Sequence, residues 1–164
     1  MKGYFASHFF NAAMFQWTEE IATLIEKETG LELYVPQRNK DINDKKNNDA
    51  EITDIKIADA DLERLKESNV LICCIDGQSM DEGVMGEVGY FAALMDMQKD
   101  KPRTIIAIYT DMRQFGTGDN HLYRNLFITG VIRKRGSIVG GEPDKEDYKV
   151  TLIKEIKDFM IKYN

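Results

Sequence analysis

Carboxylates are the chemically suggestive side chains of this sequence. Three of them, Asp81, Glu82 and Glu87, fall in the stretch Asp81-Glu82-Gly83-Val84-Met85-Gly86-Glu87-Val88-Gly89-Tyr90. That stretch follows an apolar run, Val70-Leu71-Ile72-Cys73-Cys74-Ile75, closed by the turn pair Asp76-Gly77. Such a run reads as a buried strand, and the acidic residues after it read as the first turn of a helix. In open α/β sheets, ligands bind outside the carboxyl ends of the strands, where loops turn into helices. Glu87 stands out there, because its neighbours Gly86, Val88 and Gly89 are small or apolar, as in a packed helix, yet it carries a charge. We read Glu87 as a nucleophile.

Asp61, Asp76, Asp81 and Asn125 extend the acidic and amide set. Carboxylates that act as nucleophile and proton donor are the tools of glycosyl transfer. One attacks C1′ from the face opposite a base; another, kept protonated, donates to the departing base. The residues permit this chemistry without singling it out. Other chemistries lack their motifs. No Gly-x-Gly-x-x-Gly turn follows the first strand, no Gly-x-x-x-x-Gly-Lys-Ser/Thr loop is present, and no Gly-x-Ser-x-Gly elbow exists. His8 and His121 are the only histidines, and no Cys/His spacing suits zinc, so no metal is expected.

The elements that must position these groups alternate. Gly3 to Ala6 reads as a first strand, and Met14, Trp17, Ile21, Leu24 and Ile25 give a helix over about 12–28 that Gly30 stops. Leu31 to Val35 is a second strand ended by Pro36, and a polar loop runs from Gln37 to Asp49. A helical pattern returns from Glu51, with Asp61 flanking its apolar stripe, and strand three precedes a helix over about 82–97. Strand four is Thr104 to Tyr109. Asp111 to Asn120 reads as a loop and His121 to Ile128 as a short helix ending at Gly130. Val131-Ile132, with Ser137-Ile138-Val139, supplies a fifth strand, Gly140 to Pro143 a turn, and Tyr148 to Tyr163 a closing helix. Apolar strands alternating with helices predict a single α/β domain over 1–164, doubly wound, with a mostly parallel five-stranded sheet flanked by helices in the flavodoxin/Rossmann manner.

Composition narrows the partners. Hydrophobic residues make up 43% and charged residues 30% of the 164 positions, with net charge -6 and pI about 5.0. That acidic balance argues against a nucleic-acid polymer, which needs a basic face, but not against a neutral nucleoside. No stretch approaches the roughly 18 apolar residues of a membrane span, and the N-terminus lacks a long apolar segment. Adjacent Cys73 and Cys74 would point to opposite faces of their strand, as two buried thiols of a reducing cytosol, so a cytoplasmic protein is expected.

In several strings the chain resembles the nucleoside 2-deoxyribosyltransferases. They are Tyr4-Phe5-Ala6-Ser7-His8-Phe9-Phe10, Val35-Pro36-Gln37-Arg38-Asn39, Asp61-Leu62, Asp81-x-Gly83-x-x-x-Glu87-x-Gly89-Tyr90 and Asn125-Leu126, in matching order over nearly the whole chain. The resemblance implies that Glu87 attacks C1′ of a 2′-deoxynucleoside and forms a covalent 2-deoxyribosyl-enzyme. Tyr4 would hold the Glu87 carboxylate, Gly86 and Gly89 would leave room beside it for a sugar, and Asp61 would be the proton donor to the base. Asp81 would hydrogen-bond the substrate beside Gly83, Phe10 and Phe127 would pack on sugar and base, and Gln37 and Asn39 would compete for the base-recognising amide position. Asn125 would serve a neighbouring subunit's site, in a hexamer or dimer. The implied substrates are 2′-deoxynucleosides and free nucleobases in nucleoside salvage, with no cofactor. A nucleoside or nucleotide N-glycosidase and a non-catalytic nucleoside-binding module are the alternatives. Ser7-His8 departs from the family's small residues, and the C-terminus Ile161-Lys162-Tyr163-Asn164 does not end on an aromatic residue.

Overall fold

The computed structural model describes residues 1–43, 53–111, 125–141 and 147–163. One sheet of five parallel strands runs in the order β2-β1-β3-β4-β5. The strands are β1 (Lys2–Ala6), β2 (Glu32–Tyr34), β3 (Val70–Cys74), β4 (Thr104–Tyr109) and β5 (Gly136–Gly140). The helices are α1 (Ala12–Thr29), α2 (Lys40–Asn43), α3 (Asp54–Glu67), α4 (Glu82–Met97), α5 (Leu126–Arg133) and α6 (Tyr148–Tyr163), with a 3-10 turn at Pro36–Arg38. This is the doubly wound α/β arrangement expected from the sequence. Among the described residues, no helix is long and apolar enough to cross a membrane.

Strand alternation builds two apolar layers. Tyr4, Ala6, Leu71, Cys73, Ile105 and Ala107 face Leu65 of α3, Val84, Val88 and Phe91 of α4, and Ile132 of α5. Phe5, Ile72, Ile106 and Ile108 face Ile21 and Ile25 of α1 and Leu152 and Ile156 of α6. Successive side chains of a strand point to opposite faces, so each central strand supplies both layers.

Local chemistry sets the helix bounds. Asn11 caps α1 by accepting from the Met14 N–H, and Gly30 ends it in the left-handed region with φ 70°. Thr53 caps α3 and Asp81 caps α4, accepting from Lys56 N and Val84 N. The expected polar loop is in part a short helix, α2, and its residues 44–49 lie outside the described residues. Positions 51–52, 112–124 and 142–143, on which other loop, helix and turn expectations fell, lie outside them as well.

The fifth strand needs correction. Val131 and Ile132 belong to α5, not to a strand, and Gly130 lies inside that helix. Ile128, Val131 and Ile132 recur at helical spacing, and Asn125 starts the helix by accepting from Phe127 N and Ile128 N. That cap and spacing outweigh the strand preference of two β-branched residues. The strand begins at Gly136, where an added Cβ would sit 1.8 Å from the Ile105 carbonyl oxygen. Only glycine lets β5 approach β4 there.

Candidate active site

The chain leaves β1 for β2 on one side and later enters β3 on the other, so the strand order reverses between β1 and β3. Ligand crevices of open α/β sheets form at such a switch point, beyond the carboxyl ends of the strands. A cavity of about 380 Å³ lies there, within the usual size range of small-molecule sites. Four carboxylates line it: Asp61 from α3, Asp81 at the cap of α4, and Glu82 and Glu87 within α4. Phe9 and Phe10 form an aromatic wall, with ring centroids 4.9 Å apart. Pro36, Ile57 and Val84 add apolar surface, and Ser7, Asn43 and Gly83 complete the lining. Among the described residues, no lysine, arginine or histidine belongs to it.

Tyr4 is fully buried on β1, directly under this cavity, and its hydroxyl donates to Glu87 Oε1 at 2.5 Å. Glu87 sits on a turn of α4 whose neighbours Val84 and Val88 pack on the sheet, which draws the carboxylate partly out of water. Burial raises its pKa to about 7; the Tyr4 hydrogen bond opposes that rise, and the charges of Asp61 and Asp81 add to it. Burial also pushes the Tyr4 phenol far above its ordinary value, so it stays a donor. Asp61 is raised too, chiefly by burial, against hydrogen bonds from Tyr34 and Tyr4 that favour its charged form. Two acids with raised pKa values in one cleft, one of them held by a buried phenol, make this cleft the candidate reactive centre. Among the described residues, no three His, Cys, Asp or Glu side chains gather as a metal site.

A profile of the Nucleoside 2-deoxyribosyltransferase family matches residues 4–153. The chain belongs to that family. Deoxyribosyltransferase family membership carries with it the chemistry of nucleosides and nucleobases: deoxyribosyl transfer or a related nucleoside glycosidase activity. The chain is similar to a conserved protein from Enterococcus faecalis V583 of known crystal structure, at 31% identity and TM-score 0.76, over 96% of this chain and 98% of that one. It shares its fold with the 2-deoxyribosyltransferase from Bacillus psychrosaccharolyticus, at 20% identity and TM-score 0.54 over 92% and 90% of the two chains. The same fold recurs in the Leishmania mexicana 2-deoxyribosyltransferase, at 15% identity and TM-score 0.51 over 78% and 85%. No curated protein matches this chain in sequence.

The structure gathers Tyr4, Phe10, Asp61, Asp81, Gly83 and Glu87 around one cavity. Gly86 and Gly89 do not line it, and an added Cβ at either would meet nothing within 4 Å, so they are not what leaves room beside Glu87. Gln37 is buried and turned to α1, its amide donating to the Phe15 carbonyl and to Glu19. Asn39 donates to the Tyr34 hydroxyl, on the far side of Asp61 from the cavity lining. Asn125 caps α5, and Phe127 is exposed beside it; neither lines the cavity of its own chain. Asp76 clamps the β3 loop to the end of β4, accepting from Thr110 N and Asp111 N, as the turn reading of Asp-Gly implies.

Sequence reasoning missed Tyr34, Phe9, Ser7, Asn43 and Ile57. Phe9 and Ser7 stand inside the string Tyr4 to Phe10, without a role assigned to either. Tyr34 carried no signal beyond strand propensity, because a three-residue strand shows too little alternation to say which side chain reaches a site.

Proposed function

We propose that this protein transfers the 2-deoxyribosyl group between the bases of 2′-deoxynucleosides through a covalent intermediate on Glu87, as a salvage reaction. The observation that carries this reading is the 2.5 Å hydrogen bond from buried Tyr4 to Glu87, inside a cavity that also holds Asp61. Tyr4 fixes Oε1, which leaves Oε2 of the ionised carboxylate to attack C1′. The C1′–N bond breaks, its electron pair passes to the base, and Asp61 supplies the proton. A second base attacks C1′ from the vacated face and gives its ring N–H proton back to the Asp61 carboxylate, the bond from C1′ to Glu87 breaks, and two inversions give net retention. Asp81 keeps one oxygen on the Val84 N–H as helix cap and offers the other to the sugar. Phe10, exposed over most of its surface at the cavity mouth, supplies a stacking face for the base.

The substrate is a nucleoside rather than a nucleotide. Among the described residues of this lining, a 5′-phosphate would meet four carboxylates and no cation. Asn125 and Phe127 are exposed at the start of α5 and away from their own cavity, which suits residues lent to a neighbouring subunit of a homo-oligomer.

Incubation with deoxythymidine and adenine tests the proposal. Deoxyadenosine formation is the expected result. Thymine release without deoxyadenosine would make the protein an N-glycosidase, and binding with neither product would make it a nucleoside-binding module.

A further inference from the structure

The reaction scheme leaves one polar residue beside the acids without a role. The parallel register sets Tyr34 of β2 next to Tyr4 of β1, and the two rings lie 5.4 Å apart. Both therefore stand on the sheet face covered by α3 and α4. The Tyr34 hydroxyl is held from two sides: the Asn39 amide donates to it at 2.9 Å, and it donates to Asp61 Oδ1 at 3.2 Å. A phenol has a single proton to give, and an amide nitrogen cannot accept it, so the Asn39 bond directs the Tyr34 proton to Asp61.

We propose, building on the deoxyribosyl-transfer reading, that Tyr34 is the positioning residue that presents Asp61 to the leaving base, with Asn39 setting the direction of its hydrogen bond. Tyr34 occupies Oδ1, so the proton that Asp61 delivers is carried on Oδ2. As the C1′–N bond breaks, its electron pair goes to the base nitrogen, which takes the Oδ2 proton and leaves Asp61 as a carboxylate. The Tyr34 hydrogen bond strengthens as that charge forms, because a bond to a charged acceptor is stronger than one to a neutral acid. Among the described residues, the titratable groups around Asp61 are Tyr34 from β2, Tyr4 from β1 and, in the same cavity lining, Glu87, Asp81 and Glu82 at the start of α4. On its own helix, Arg64 lies 5.6 Å from the Tyr34 ring centre. Burial raises Asp61, and the Tyr34 hydroxyl is the strongest influence pulling it back down. Loss of that hydroxyl makes Asp61 a weaker acid and frees its carboxyl group to turn.

The test is Tyr34→Phe in the full chain, read in two ways. Carboxyl-carbon NMR follows Asp61 without turnover, and its midpoint should move to higher pH than in the wild type. In base exchange from deoxythymidine to adenine, kcat should fall roughly tenfold, with a smaller change in KM and the basic limb of the kcat profile displaced to higher pH. Asn39→Leu should shift both readouts in the same direction by less. An Asp61 midpoint unmoved in both variants, or a uniform loss of kcat with the basic limb fixed, would overturn the proposal. A wild-type protein that neither exchanges bases nor releases thymine would refute the transfer reading itself, a failure distinguishable because the titration needs no turnover.

Discussion

The two ends of the sheet both bury charge, and they treat it differently. At the amino ends of the strands, Lys101 and Arg103 close the carboxyl terminus of α3. Lys101 donates to the Lys66 and Glu67 carbonyls. Arg103, only 8% exposed, donates to the Ser68 and Lys66 carbonyls and to Gln98. These cations meet the negative end of a helix and satisfy its last carbonyls. At the carboxyl ends, Glu87 and Asp61 receive phenol hydroxyls, and among the described residues no cation lines their cavity. The first arrangement uses charge for stability. The second withholds compensation, keeps a carboxylate near its neutral form and opens it to a ligand, so it stores reactivity at the expense of stability.

Glu87→Ala should break this contrast most strongly. Base exchange should drop roughly 10⁴-fold, as for loss of a covalent nucleophile, while thermal stability stays level or rises; a variant with near-normal rates would remove Glu87 from the mechanism. Arg103→Met should do the opposite. It strands several buried carbonyl and amide acceptors, so denaturant titration should show a loss of about 2–4 kcal/mol, with kcat of the folded fraction unchanged. An Arg103 variant that lost activity without losing stability would erase the distinction between the two ends.

A pH series sharpens the comparison further. The Glu87 carboxyl is raised to about 7, so the folded chain binds its proton more tightly than the unfolded chain does. Its contribution therefore favours folding most below the ordinary carboxylate range and declines as pH rises to about 7, by up to about 3 kcal/mol. Glu87→Gln should flatten that slope in denaturant titrations between pH 4 and 8, a range roughly spanning the two protonation states. An unchanged slope would mean that the carboxylate is no burden to the fold.

Much of the site was legible because its residues lie where strong local signals end. The apolar run of β3, the acidic start of α4 and the family resemblance of the strings holding Tyr4, Asp61, Asp81 and Glu87 name four groups that the structure brings to one cavity. What remained hidden depends on register and on competition. Tyr34 reaches Asp61 only because β2 pairs with β1 in one particular register, which three residues cannot announce. Gln37 and Asn39 compete, on the resemblance, for the base-recognising amide position, yet α1 takes one and Tyr34 takes the other. The last strand was misread because Val131 and Ile132 have β-branched side chains at helical spacing, and the cap at Asn125 decided the matter.

The central claim is that Glu87 forms a bond to the sugar. Incubating the protein with a 2′-deoxynucleoside and no acceptor base, quenching in acid and mapping peptides by mass spectrometry tests it most directly. The account predicts one 2-deoxyribosyl group on the peptide that carries Glu87, lost on addition of adenine with formation of deoxyadenosine. Exchange that proceeds with no adduct, or an adduct that persists in Glu87→Ala, would contradict it.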